Sequence, residues 1–400
     1  MQKHRFVAKA EKTMELFLTD LKTIVNIDSG TYTRSGINQI VTYLQTRFHD
    51  FGFDTRVDEQ QEYGNHLVAT HKGNAPNGPR ILVIGHTDTV FPEGHAIRRP
   101  FTLSEREGRQ IASGPGILDM KAGLLMGMYA LHLLIQAGEA NYQSVTYICN
   151  SDEEVGSPSS RPLIQEIAAR SDAVIVLEPG RQLHTIVSSR RGIGRYRIEA
   201  YGISAHAGVN PECGRNAILE LAHQVINLQA INGTIPGTTL NVGVIQGGER
   251  TNIVPDYAYC DIDVRVSDQE GINAIEQAMH NVTKKTVLDG TSVTLSGAIR
   301  SMPFEKAAGS AQLVELARLA AKEVGIKLED VPSGGASDAN TTAGMGIPTI
   351  DGLGAGGGLA HNPGEYIELD YLPTRIALIT GILRQICIYY EMGNSLLPKC

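Results

Sequence analysis

The sequence reads as an α/β protein interrupted by an inserted α+β unit, and three observations predict this. Short apolar runs alternate with helical stretches from residue 80 to about residue 186. After residue 191 the order becomes strand, helix, strand, strand, helix, strand. The first pattern then resumes after residue 303. Alternating βα units predict a largely parallel sheet, while βαββαβ is the split, ferredoxin-like arrangement.

ILVIGH (81–86), SVTYICN (144–150) and DAVIVLEP (172–179) are apolar at nearly every position, as strands buried on both faces are. KAGLLMGMYALHLLIQAG (121–138) lies between the first two and reads as a crossover helix closed by Gly138. In the insert, strands are expected at 195–203, 238–248, 256–267 and 291–299, with helices at 216–231 and 270–285. Beyond it come a helix at 310–326, a short strand at 347–353 and a closing helix at 374–391. The domains expected are therefore 1–190 with 303–400, discontinuous, and 191–302 between them.

A chain of 400 residues is too long for one ordinary core, which agrees with two domains. The net charge of -8 argues against a nucleic-acid partner, which favours a basic face. No unbroken apolar run reaches the roughly 18 to 20 residues of a membrane span. The N-terminal stretch lacks the apolar core of a signal peptide and reads as an amphipathic helix, so the expected location is cytoplasmic. Cys149, Cys213, Cys260, Cys387 and Cys400 are scattered without CxxC spacing, which predicts neither a disulfide framework nor a thiolate metal site.

In open α/β sheets ligands bind at the carboxyl ends of the strands. Here the first strand ends in His86-Thr87-Asp88, the second runs into Asp152-Glu153-Glu154 and the third ends at Glu178. Asp119 opens the crossover helix, and His361 follows the fourth strand after a glycine-rich stretch. Carboxylates gathered at one edge repel one another unless a cation neutralises them. Imidazole plus carboxylate without thiolate suits zinc, cobalt or manganese.

GHTDTV (85–90), SGPGILDMKAG (113–123), SDEEVGS (151–157), LEPG (177–180), SAHAG (204–208) and AHNPGEYIE (360–368) resemble, in order, the motifs of the M20 metallopeptidases. The resemblance covers roughly residues 80 to 370 and implies a zinc-exopeptidase-type mixed sheet with helices on both faces, plus a ferredoxin-like dimerisation domain. It implies two zinc ions per subunit, with cobalt or manganese as alternatives. Asp119 would bridge them, His86 and Glu178 would complete one site, and Glu154 and His361 the other. Three protein ligands per ion leave a position open for water. The peptide bond after the bridging aspartate, Asp119–Met120, is expected to be cis.

By the same resemblance Asp88 orients the imidazole of His86. Glu153 is the general base that takes a proton from the metal-activated water and returns it to the departing amine. His206 would reach across a homodimer interface to stabilise the tetrahedral oxyanion. Asn252, Arg265 and Arg300, with Gly335, are the candidates for reading a substrate carboxylate, arginine being suited to bidentate pairing. The amides of Gly354, Gly356, Gly357 and Gly358 are further candidates. The implied activity is release of a C-terminal amino acid, glutamate foremost, from an N-acyl or peptide conjugate. An N-acyl-amino-acid deacylase of the same mechanism is the alternative, and a non-catalytic metal-binding scaffold is a second one. His95 in FPEGHAIRRP is a feature the resemblance does not explain.

GLGAGG (352–357) fits a dinucleotide fingerprint, but Pro363 and Gly364 follow instead of the required helix. GISAHAG does not supply the GxSxG of a serine hydrolase. Neither reading is adopted.

Overall fold

The computed structural model describes residues 4–180 and 184–397. Cys400, like the first three residues of the expected N-terminal helix, lies outside them. The chain folds into two compact units. Arg190–Glu305 together with Gly334–Ala336 forms one, and the flanking segments form the other. The three-residue excursion joins the second unit through Arg190, which donates to the Gly335 carbonyl at 3.0 Å.

The first unit is built on a six-stranded mixed sheet. Its order is Asp54–Asp58, His66–Lys72, Ser144–Asn150, Arg80–His86, Ala173–Val176, Thr349–Ile350. The last four run parallel, and the first two add an antiparallel edge. That edge escapes sequence reading because DTRVD and HLVATHK carry too little apolar patterning.

Alternation along the strands sends side chains to both faces. Ile81, Val83, Val145, Tyr147, Ala173 and Ile175 join the large core. Leu82, Ile84, Ile148 and Val174 are equally buried but outside that cluster, on the opposite face. The helices Arg5–Val25 and Leu372–Glu391 pack on Ala122–Gln136 to form the large core, and Arg161–Ala168 packs with Asp338–Gly344. Ile117–Gln136 is by length and composition apolar enough to cross a bilayer, yet it is almost entirely buried within the unit. A helix apolar all round is one that is covered all round.

The second unit is a four-stranded antiparallel sheet in the order Thr239–Gly247, Tyr257–Val266, Gly192–Tyr201, Ser292–Ser301. Alternate residues Ile198, Ala200, Cys260, Ile262 and Val264 meet Leu221, Ile275 and Met279 of the two helices in one core. The intervening residues Arg195, Arg197, Asp261, Asp263 and Arg265 populate the uncovered face. This is the ferredoxin-like arrangement the chain order predicts.

Candidate metal centre

The ends of the parallel strands bring the metal-type residues of the first unit together. His86, the last residue of Arg80–His86, is 1% exposed. Its Nε2 lies 3.1 Å from Asp119 Oδ1 and 3.7 Å from Glu178 Oε1. The other carboxylate oxygen of Asp119, Oδ2, lies 3.1 Å from His361 Nε2, which is also 3.4 Å from Glu154 Oε2. Asp119 thus offers one oxygen to each of two histidines. Two overlapping donor clusters result, His86 with Asp119 and Glu154, and His86 with Glu153 and Glu178, each with its ligand atoms within 4.8 Å of one another.

Contrary to the expectation from sequence, Asp119 does not open the helix. A short distorted turn, Ile117–Lys121, precedes Ala122–Gln136, and within it Asp119 is extended at φ -116° and ψ 94°. The Asp119–Met120 bond is cis, as the resemblance implies. Glu178 stands two residues beyond the end of Ala173–Val176, so the strand is shorter than expected and the ligand sits on the loop.

Electrostatics show what the cluster is shaped to hold. Burial would lower the pKa of His86, but hydrogen bonds to Asp119 and Asp88 outweigh it and push the ring well above its ordinary value. Burial, then the Glu178 charge, pushes Glu153 well above the usual carboxylate range. Burial likewise raises Glu154 to about 7, and its Oε1 is buried with no partner. Half-buried carboxylates that resist ionising, around imidazoles drawn toward positive charge, are the setting a cation completes. The donor set, oxygen and imidazole without sulfur, fits zinc, cobalt or manganese.

Asp88 ties the parts together. Its main-chain carbonyl is 2.9 Å from His86 Nδ1, which leaves Nε2 facing the cluster. Its carboxylate accepts from the Thr31 hydroxyl at 2.7 Å and from the amides of Glu153 and Glu154 at 3.2 Å. Asp152 points elsewhere and accepts from the Ser159 and Ser160 amides. Asp338, which no sequence pattern singles out, is buried beneath the same turn and accepts from Asn150 and Ser157; burial raises it to about 6.

The predicted residues His206, Asn252, Arg265, Arg300 and Gly335 lie in the second unit. His206 and Asn252 are brought together there. Ala205–His206 pairs antiparallel with Ile253–Val254, and the Ala207 amide donates to the Asn252 carbonyl at 3.0 Å. The Gly208 amide donates to His206 Nδ1 at 3.1 Å, so the neutral ring carries its proton on Nε2. Arg300 helps line an open cavity of 580 Å³ with Arg195, Arg197, Asn241, Asp261 and Asp263. The guanidinium of Arg265 is engaged by Asp263 at 2.8 Å.

Within the glycine-rich loop, the Gly354 amide is turned away from the expected carboxylate cradle. The Gly354 amide donates to the Glu178 carbonyl at 2.9 Å, and Gly357–Gly358 pairs with Tyr366 and Ile367. A Cβ at Gly354 would stand 2.4 Å from the Leu177 carbonyl oxygen. The loop serves close backbone approach behind Glu178. Buried Arg375 supports it by donating to the carbonyls of Gly352 and Gly354; as one arginine in an apolar helix it carries no recognisable signal.

One imidazole at a strand end and one on a loop, set around a shared carboxylate, fit a metallohydrolase site. The sequence signature of Peptidase family M20/M25/M40 matches residues 82–385. Carboxypeptidase G2 of Pseudomonas sp. (strain RS-16) is 30% identical over 370 residues, covering 91% of this chain and 87% of the relative. The aminopeptidase PepT of Bacillus cereus ATCC 10987 superposes with a TM-score of 0.79 at 26% identity, covering 93% of this chain and 98% of that one. The fold also matches the Bacillus subtilis YXEP protein, described as a dinuclear metal-binding peptidase from the M20 family, with a TM-score of 0.70 at 12% identity over 94% and 99% of the two chains. The chain belongs to peptidase family M20/M25/M40 and is a metallohydrolase acting on amide bonds.

Proposed function

We propose that this chain is a two-zinc carboxypeptidase that releases C-terminal glutamate from N-acyl or short-peptide conjugates. The observation that carries the reading is the bridging geometry of Asp119, one oxygen 3.1 Å from each of two imidazoles. The likeness to carboxypeptidase G2 supports the glutamate preference. His86 and Glu178 would hold one ion with Asp119, and Glu154 and His361 the other. Cobalt or manganese suits the same donors. Such a pair supplies Lewis acidity and a water whose pKa falls from about 15.7 toward neutrality.

The chain's own groups do the rest. Glu153, half-buried beside Glu178, takes the proton of the attacking water on its carboxylate and delivers it to the departing amide nitrogen. His206 offers Nε2–H to the oxyanion, and it does so from the partner subunit of a homodimer. Arg300 and Asn252 read the free carboxylate of the substrate, with Gly335. Arg265, whose Nε and Nη2 pair with Asp263 at 2.8 and 3.3 Å, is a further candidate for that role.

The test is amino-acid release by chelator-stripped protein from N-acyl amino acids, dipeptides and folate-type glutamate conjugates, with and without added zinc, cobalt or manganese. Metal-dependent release confined to glutamate or aspartate conjugates is expected. Release governed by the acyl group, whatever the C-terminal residue, would make the protein a deacylase. No release with two ions bound would make it a scaffold.

A further inference from the structure

We infer that Glu365 is a positioning residue that sets the spacing between His361 and Asp119. His361 is the most exposed of the donor residues, its side chain 53% accessible against 14% for Asp119 and 8% for Glu154. It sits at φ 62° on a loop whose Leu359 is also left-handed at φ 63°. Neither a helix nor a strand fixes it, so its place relative to Asp119 must come from what holds the loop.

Glu365, four residues on and 1% exposed, provides that hold. Its Oε1 accepts from the amides of Leu118 at 2.7 Å and Asp119 at 2.9 Å, and its Oε2 from the amide of Gly116 at 3.2 Å. One carboxylate therefore grips three amides of the turn that presents the shared ligand. The bend is specific: Gly116 is at φ 68°, and a Cβ there would lie 2.2 Å from Thr89 Cγ2. Main-chain pairing continues the hold, since Tyr366, the next residue, is in register with Ser113 of Arg109–Ser113. Beside the same turn the buried Lys121 ammonium donates to the Ile27 carbonyl at 2.9 Å. A second tether reaches the loop from Arg99, which donates to the Pro363 carbonyl and to His95 Nδ1, the latter at 2.6 Å. His95 is thus a side-chain partner of Arg99.

Glutamine at 365 is nearly isosteric but presents an NH2 where an acceptor is needed, so at least one of the three amides loses its partner. This inference rests on the two-metal reading. The experiment is cobalt titration of metal-stripped protein, followed by visible absorption and calorimetry, for wild type, Glu365→Gln, Glu365→Asp and the control Glu368→Gln. Glu368 pairs with Arg109 and touches none of the donors. Partners that orient metal ligands typically carry about 10- to 100-fold in metal affinity. A loss of that size with an altered cobalt spectrum is expected for Glu365→Gln, a smaller one for Glu365→Asp, and none for Glu368→Gln, with the metal-free circular dichroism of all four unchanged. Wild-type affinity and spectrum in Glu365→Gln would overturn the inference. So would loss of fold in both position-365 variants before metal is added, since Glu365 would then hold the fold and not the ligands. Failure of the wild type itself to bind cobalt would instead overturn the two-metal reading.

Discussion

Glu153 and Glu154 are adjacent in the chain, yet the proposed chemistry gives them different tasks. Both amides are held by the Asp88 carboxylate, so the turn is fixed and the two side chains diverge from it. Glu154 directs one oxygen at His361, whereas Glu153 clusters with His86 and Glu178. Replacing Glu153 with glutamine keeps the shape and removes the proton acceptor. We expect kcat to fall about 100- to 10,000-fold while the count of bound metal ions, read by elemental analysis, stays at the wild-type value. Activity near wild type would take the general-base role away from Glu153. These residues were legible because strand ends and spaced motifs mark them in the chain. Glu365 was not: after Pro363-Gly364 a glutamate reads as a solvated turn residue, and only the folded chain shows it buried under three amides.

Among the elements, the loop from Lys285 to Thr291 shows how a polar side chain can organise a segment without secondary structure. Glu220, buried on the helix Ala217–Gln229, accepts from the Val287 and Leu288 amides at 2.9 and 2.8 Å and from Gln224 and Thr291. Burial would raise its pKa, but hydrogen bonds from Gln224, Leu288, Val287 and Thr291 outweigh it and hold the carboxyl below its ordinary 4.5. The folded value is depressed, so this contribution is complete above pH 4.5 and disappears as pH falls through the lower folded value. Glu220→Gln should therefore destabilise the protein by about 1 to 3 kcal/mol at pH 7. The gap to wild type should narrow on acidification toward pH 3. Thermal melts across that range check it, and a gap independent of pH would contradict the assignment. Sequence periodicity finds this helix easily. It cannot find the glutamate's task, because the loop amides it holds are more than sixty residues away.

For the whole molecule, the proposed mechanism draws on residues from both units, since His206 lies in the second and the metal-type residues in the first. We expect His206→Ala to lose about 100- to 1,000-fold in kcat with its metal content intact. If the partner subunit supplies that histidine, mixing and refolding His206→Ala with Glu153→Gln, each nearly inactive alone, should restore activity in mixed dimers. In such a dimer one active site receives both an intact Glu153 and an intact His206. Recovery of no activity from a mixture shown to contain mixed dimers would place the histidine's action within its own chain.

What the sequence determined is the architecture and the inventory. Apolar runs set the buried strands, the change of pattern after residue 191 set off the insert, and His86, Asp119, Glu153, Glu154, Glu178 and His361 announced themselves by motif. These depend on local periodicity and on residue type, which a linear string carries. The tertiary structure alone decided the rest. It put Asp119 in a distorted turn ahead of its helix, and turned the glycine-rich loop into a close-packed support for Glu178. It also buried Lys121, Glu365 and Arg375 as scaffolding. The reason is physical: whether a charged side chain lies in water or grips a distant backbone depends on what packs over it, and packing is a property of the folded chain.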